Sequence, residues 1–220
     1  LRPAKTDDQY GVKRHVSSSK LHCYAMVPYT LEGAYALHQM FRIRWSAWKA
    51  LDDSSKRQIV SEAQNILEEM RTDGTGLYSL IGHKGDLMLV HFRPAMDTLN
   101  AVELRLAQTG LMDFLDQTTS YLSVVELGLY ESTQRIHRVL REKGLEPGTE
   151  AWDAAAEEEL GRSRKAMESR LFQPIPESRY LCFYPMDRRR GEQKNWYTVP
   201  FDDRARMMHE HGMVGRRYAG

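Results

Sequence analysis

The order of hydrophobic periodicities between residues 33 and 130 constrains this chain more than any other feature. "GAYALHQMFRI" (33–43) alternates and is rich in rings and aliphatics, as a half-buried strand requires. "SSKRQIVSEAQNILEEM" switches to a helical repeat, with Ile59, Ala63, Ile66, Leu67 and Met70 on one face and Ser54 and Ser55 placed to cap its start. "GLYSLIGH" and "GDLMLVHFR" are short β-rich runs joined at "HKGD", which predicts a hairpin, and Pro94 closes the second run. Helical spacing returns in "MDTLNAVELRLAQTG" through Leu99, Val102 and Leu106, and "SYLSVVELGLY" (120–130) has the strongest strand pattern of the chain. The order strand, helix, strand, strand, helix, strand predicts an α+β, ferredoxin-like sheet whose helices cover one face and leave the other for a second layer.

The rest of the chain divides around that unit. Residues 1–22 are polar and aperiodic and read as an N-terminal arm; 23–130 form the first half; and 131–171 read as a charged helical insertion broken at "GLEPGT". In 172–220, "PIPESRY" resets the chain to extended structure. "YLCFYPM" and "NWYTVP" are expected strands, and Pro200 opens the helix "FDDRARMMHEHGM", with Asp202 and Asp203 in its first turn where they suit the helix dipole. A second α+β half therefore starts, and on this reading it is incomplete at Gly220.

Composition narrows the function classes. A net charge of +1, with 41% hydrophobic and 28% charged residues, describes a soluble globular protein and argues against sequence-independent nucleic-acid binding. No apolar run is long enough for a membrane span and no signal-peptide order opens the chain, so a cytoplasmic protein is expected. Cys23 and Cys182 are too far apart in sequence for a metal-type spacing and form no disulfide framework. The paired tryptophans of "WSAWKAL" read as core or interface, and neither a phosphate-binding glycine loop nor a serine elbow is present.

Chemistry concentrates at the C-terminal end. Strand alternation would put Tyr180, Cys182, Tyr184 and Met186 on one face, with Leu181 and Phe183 on the other, and would bring Arg188 and Arg190 alongside Tyr184. A phenol, a thioether and two guanidiniums on one surface suit a planar apolar ligand that carries carboxylates. The same pattern fits a strand buried on both faces that ends in a solvated charge run. His209 and His211 lie on the following helix, and because two residues turn a helix by about 200° only one can face a given neighbour. Helical period does not choose between them. Either could serve as a single axial ligand to a haem iron, and either could instead bond the last carbonyls of a helix terminated by Gly212. "HEH" lacks the i, i+4 histidine pair of a zincin.

"VELGLY", "CFYPMDRRR", "NWY" and "HGMVGRRYAG", in this order and spacing, resemble the coproheme decarboxylases of the chlorite dismutase superfamily, of the type found in Gram-positive bacteria. "FRIRWSAWKAL" and "LYSLIGHKGDLMLVHFRPAMDTLNAVELRLAQT" extend the resemblance into the first half. It implies two ferredoxin-like halves of the dimeric α+β barrel type, assembled as a homopentamer, with the porphyrin in the second half. It also implies that His211 is the axial iron ligand, that Tyr184 is the redox-active tyrosine and that Arg170 pairs with a substrate propionate. Arg188 stands where the family has a propionate-contacting lysine; the charge is kept, but the ammonium's compact geometry is not. Met186, Trp196 and Arg190 complete the implied site.

The implied reaction is the decarboxylation of two propionates of iron coproporphyrin III by hydrogen peroxide to give haem b, with the porphyrin both substrate and cofactor. A transient contact with the porphyrin iron-inserting enzyme is implied as well. Chlorite dismutase or haem peroxidase activity is the alternative within the superfamily, and a non-catalytic porphyrin-binding barrel is the alternative outside enzymes.

Overall fold

The computed structural model describes residues 27–218, so Cys23 and the arm at 1–22 lie outside the described residues. Four strands form one antiparallel sheet: β1 (Thr30–Ile43), β2 (Thr75–Ser79), β3 (Leu87–Arg93) and β4 (Leu115–Gly128), in the order β2-β3-β1-β4. Between them run α1 (Trp45–Ala50), α2 (Asp53–Thr72) and α3 (Met96–Ala107). The ferredoxin-like order read from the periodicities is therefore the observed one.

The core follows from those periodicities. Phe41, Leu89 and Leu115 of the sheet bury against Met70 of α2 and Val102 and Leu106 of α3 in one apolar cluster. β1 and β3 stay in register from Tyr35–Arg93 to Phe41–Leu87, and so every second side chain reaches this layer. β1 and β4 pair over their whole lengths, with register shifts between Glu32 and Tyr35 and between Met40 and Phe41.

His91, completely buried, is hydrogen-bonded through Nδ1 to Thr75 Oγ1 at 2.9 Å, while its Nε2 has no partner. Burial lowers its pKa to about 4, helped by the nearby charges of Arg93 and His38.

Local chemistry corrects two boundaries. The cap of α2 is Asp52, whose carboxylate accepts from Ser55 N–H at 2.9 Å; Ser54 and Ser55 already lie inside the helix. β4 starts at Leu115 and stops at Gly128, and Tyr130 of the expected strand opens a helix instead. The tryptophans of "WSAWKAL" divide: Trp48 meets Phe114 edge-on at 5.4 Å, while Trp45 is exposed and donates to Asp86.

Beyond the sheet, α4 (Tyr130–Glu142), α5 (Glu150–Ala166) and α6 (Glu168–Leu171) form the expected helical stretch, broken where Gly144 and Gly148 take positive φ. Then the reading changes. Residues 180–186 are extended but form no ladder, and 195–200 contain a 3-10 turn at Trp196–Thr198, so the two expected strands are absent among the described residues. A strand exists only through a partner edge, and the only bridge here is Arg190 with Asn195.

Without the ladder the expected alternation holds only in part, because Leu181, placed on the inward face with Phe183, is exposed. Phe183 packs inward, stacked on His38 at 4.3 Å, whereas Tyr180, Cys182, Tyr184 and Met186 are exposed. Finally α7 (Phe201–Arg216) follows Pro200 as expected and runs through Gly212, which does not terminate it. Among the described residues no helix is long and apolar enough to cross a membrane.

Candidate functional site

Only Leu129 separates β4 from α4, so the last residues of β4 pass straight into the wall of a cleft. Glu126 to Gly128, the start of α4, α6 and α7 enclose about 350 Å³. Arg170 from α6, Arg188 from the extended segment and Arg216 from α7 line it. Each element has a reason to be there. Leu171 buries completely with Leu31 and Leu129, which seats α6 on β1. Phe201 and Ala205 bury against Tyr130, with the Phe201 and Tyr130 rings 5.5 Å apart, and this docks α7 on α4. Two polar ties fix that docking: Gln134 Nε2 to Asp202 Oδ1 at 3.2 Å, and His209 Nδ1 to Glu131 Oε1 at 2.6 Å.

The docked face of α7 separates its two histidines. Phe201, Ala205, Met208 and Gly212 share one stripe at i, i+4, i+7 and i+11. His209 flanks that stripe on the cleft side, where Glu131 holds it. His211 flanks it on the other side, exposed, with no hydrogen bond or ion pair to any described residue. The structure thus gives the two imidazoles different surroundings, a distinction that periodicity left open.

Tyr184 lies outside this cleft. It lines a separate hollow of about 640 Å³ over the outer face of the sheet, with Phe183, Tyr121 and Met88, and is 63% exposed. Met186 is 81% exposed and lines neither space. Arg188 lies over the Trp196 ring at 5.6 Å, and the Trp196 Nε1 donor is buried without an acceptor. Arg190 is occupied by Tyr197, over whose ring it sits at 4.8 Å and whose hydroxyl it reaches at 3.1 Å. Of the residues singled out in the sequence, then, Arg170, Arg188 and Trp196 come together, while Tyr184, Met186 and His211 stand apart from them.

Arg216 was not singled out. The signal for it was the four-residue step Met208, Gly212, Arg216 along one face of α7.

Among the described residues no group of three or more His, Cys, Asp or Glu side chains could hold a bare metal ion. A metal carried in an organic ring needs a single protein ligand. The guanidiniums on one cleft and the orphaned Trp196 donor beside Arg188 fit such a group's carboxylates, whereas the unengaged imidazole of His211 lies on the other side of the docked stripe of α7.

The antiparallel four-stranded sheet with its helices on one face defines an α+β, ferredoxin-like protein, with Arg170, Arg188 and Arg216 lining its cleft beside the carboxylates of Glu126 and Glu131. The chain belongs to the chlorite dismutase family, whose model matches residues 56–220. It is 37% identical over 199 residues to a coproheme decarboxylase of Staphylococcus saprophyticus, covering 88% of this chain and 71% of that one. A protein of Natronomonas pharaonis described as heme-binding is 35% identical over 198 residues, 87% of this chain but 30% of its own length. Among solved structures, a heme-binding protein from Thermus thermophilus superposes with a TM-score of 0.67 at 31% identity, over 87% of this chain and 69% of the other.

Proposed function

We propose that this chain binds iron coproporphyrin III and, with hydrogen peroxide, removes two of its propionates as carbon dioxide to leave haem b. The observation that carries this reading is the convergence of Arg170 and Arg188 on one cleft, in a chain 37% identical to a coproheme decarboxylase. The two guanidiniums would pair with propionates, Arg216 adds a third positive charge to the same space, and His211 would supply the imidazole that holds the iron. Met186, Trp196 and Arg190 flank the ring. Residues 172–220, together with Arg170, contribute the porphyrin-facing part and 23–130 the scaffold. A cytoplasmic homopentamer that receives its substrate from the iron-inserting enzyme completes the proposal.

The bound iron porphyrin supplies the one-electron chemistry that peroxide needs. Tyr184 relays it: the phenol gives up a hydrogen atom, and the phenoxyl regains one from the β-carbon of a propionate. One further electron leaves the same fragment, the carboxylate departs as carbon dioxide, and a vinyl group remains. Each propionate thus gives up two electrons, enough to reduce one hydrogen peroxide to water. In a radical relay the proton and electron leave together, so no free phenolate has to form. The arginines hold the propionates within reach, and such positioning can contribute several kcal/mol to a barrier, roughly 7 to 11 in the best cases.

Mass spectrometry of the porphyrin, before and after titration of the complex with peroxide, tests the reaction. The expected result is two successive losses of carbon dioxide and two hydrogens. Porphyrin left intact while peroxide is consumed would overturn the decarboxylase reading, and oxygen release on adding chlorite instead would move the chain to the other activity of the superfamily.

A further inference from the structure

Gly33 lies in β1, 137 positions before Arg170 in the sequence, at the register shift between Glu32 and Tyr35. A Cβ built on Gly33 would fall 2.2 Å from the Leu171 carbonyl oxygen, 2.7 Å from its carbon and 2.8 Å from its Cα. All three are backbone atoms, so no rotamer change can relieve the contact. Leu171 cannot retreat inward either, because its own side chain is completely buried among Leu31 and Leu129. A second tie meets the same place: Arg164, at the end of α5, donates to the Glu32 carbonyl at 2.9 Å.

From this geometry we infer that Gly33 is a positioning residue for Arg170: its missing side chain is the seat on which α6 rests, and the seat sets where the Arg170 guanidinium enters the cleft. The inference rests on the reading of Arg170 as a carboxylate partner. Arg170 precedes Leu171 directly, so any retreat of the Leu171 backbone carries the Arg170 Cα with it. Restoring an ordinary contact of 3.4 Å or more requires a shift of about 1 Å. That is enough to spoil a two-pronged guanidinium–carboxylate pair, whose hydrogen bonds tolerate only a few tenths of an ångström. Positive φ is not the reason for glycine here: among the described residues, the glycines with positive φ are Gly74, Gly82, Gly144 and Gly148. The space is what matters.

A double-mutant cycle on iron coproporphyrin affinity, read by visible absorption without peroxide, tests the inference on the whole chain. Arg170→Ala is expected to weaken binding about tenfold or more. Gly33→Ala is expected to weaken it by a similar factor in the parent chain and by less than about twofold when Arg170 is already alanine, because a displaced guanidinium has nothing left to lose. If the two losses multiply, Gly33 is merely a packing residue and the inference fails, while the porphyrin reading stands. If Arg170→Ala leaves affinity unchanged, the carboxylate role of Arg170 fails and the inference with it.

Should Gly33→Ala not fold, Arg164→Ala decides. It removes only the exposed tether to Glu32, and it is expected to weaken binding about two- to threefold in the parent chain and not at all beside Arg170→Ala. Equal losses in both backgrounds overturn the inference.

Discussion

The sheet unit from Thr30 to Gly128 and the stretch from residue 172 to Tyr218 use the same kinds of side chain to opposite ends. In the sheet unit, rings and aliphatics close on one another: Phe41, Met70, Leu89 and Leu106 are almost entirely hidden, and even His91 is buried. In the later stretch, Tyr180, Tyr184, Met186 and Tyr218 remain largely in solvent. Its arginines lie over rings instead, at Tyr180, Trp196 and Tyr197. Apolar surface left uncovered beside cations marks a place for a ligand more often than it marks a poorly made core. The first region gathers its central rings and aliphatics into a core, and the second leaves several of its own in solvent.

Three measurements break or sharpen that contrast. The largest effect is expected in the sheet unit, where Phe41→Ala should cost about 3 to 5 kcal/mol of folding stability in denaturant titration, because it empties the centre of the main cluster. The same test on the other region should give the reverse pattern. Tyr184→Phe should leave stability within about 0.5 kcal/mol, since the side chain is exposed, yet slow decarboxylation roughly a thousandfold with porphyrin affinity unchanged. A large stability loss from Tyr184→Phe would erase the contrast.

The third effect is somewhat smaller and depends on pH. His91 titrates near 4 when folded and near 6.5 when unfolded, so the unfolded chain binds the extra proton first. Its contribution is complete above pH 6.5, falls as the pH drops towards 4 and is gone below that. The full span is on the order of 3 kcal/mol. Stability measured across that window should lose most of this slope in His91→Gln, and an unchanged slope would remove His91 from the account.

How much of this was legible in the sequence follows from what each pattern encodes. Alternation and helical repeat record burial against neighbours within the same unit, so the six-element order could be read directly from Tyr35 to Leu127. The pattern at residues 180–186 records a tendency of side chains to alternate: it placed Phe183 against the sheet correctly and Leu181 wrongly, and it could not supply the edge that a ladder needs. The cap of α2 shows a subtler limit. Ser54, Ser55 and Asp52 are all good caps, and only the backbone geometry selects Asp52.

For the candidate site, Arg170 and the choice of His211 came from a resemblance that carries three-dimensional information the residues alone do not, whereas Arg188 was reached by alternation. A physical difference between His209 and His211 comes from Glu131, a residue distant in sequence. Gly33 could not be found from its neighbours in sequence at all, because what makes it glycine is a backbone from the far end of the helical stretch.

The single-residue join between β4 and α4 bears on how the molecule is made. One wall of the cleft is the end of a strand that closes against β1 with Thr30 opposite Gly128, among the most sequence-distant pairings in the sheet and so slow to form. Pocket and scaffold therefore mature together, with no loop between them to let one run ahead. A chain whose sheet has not closed therefore has no finished cleft.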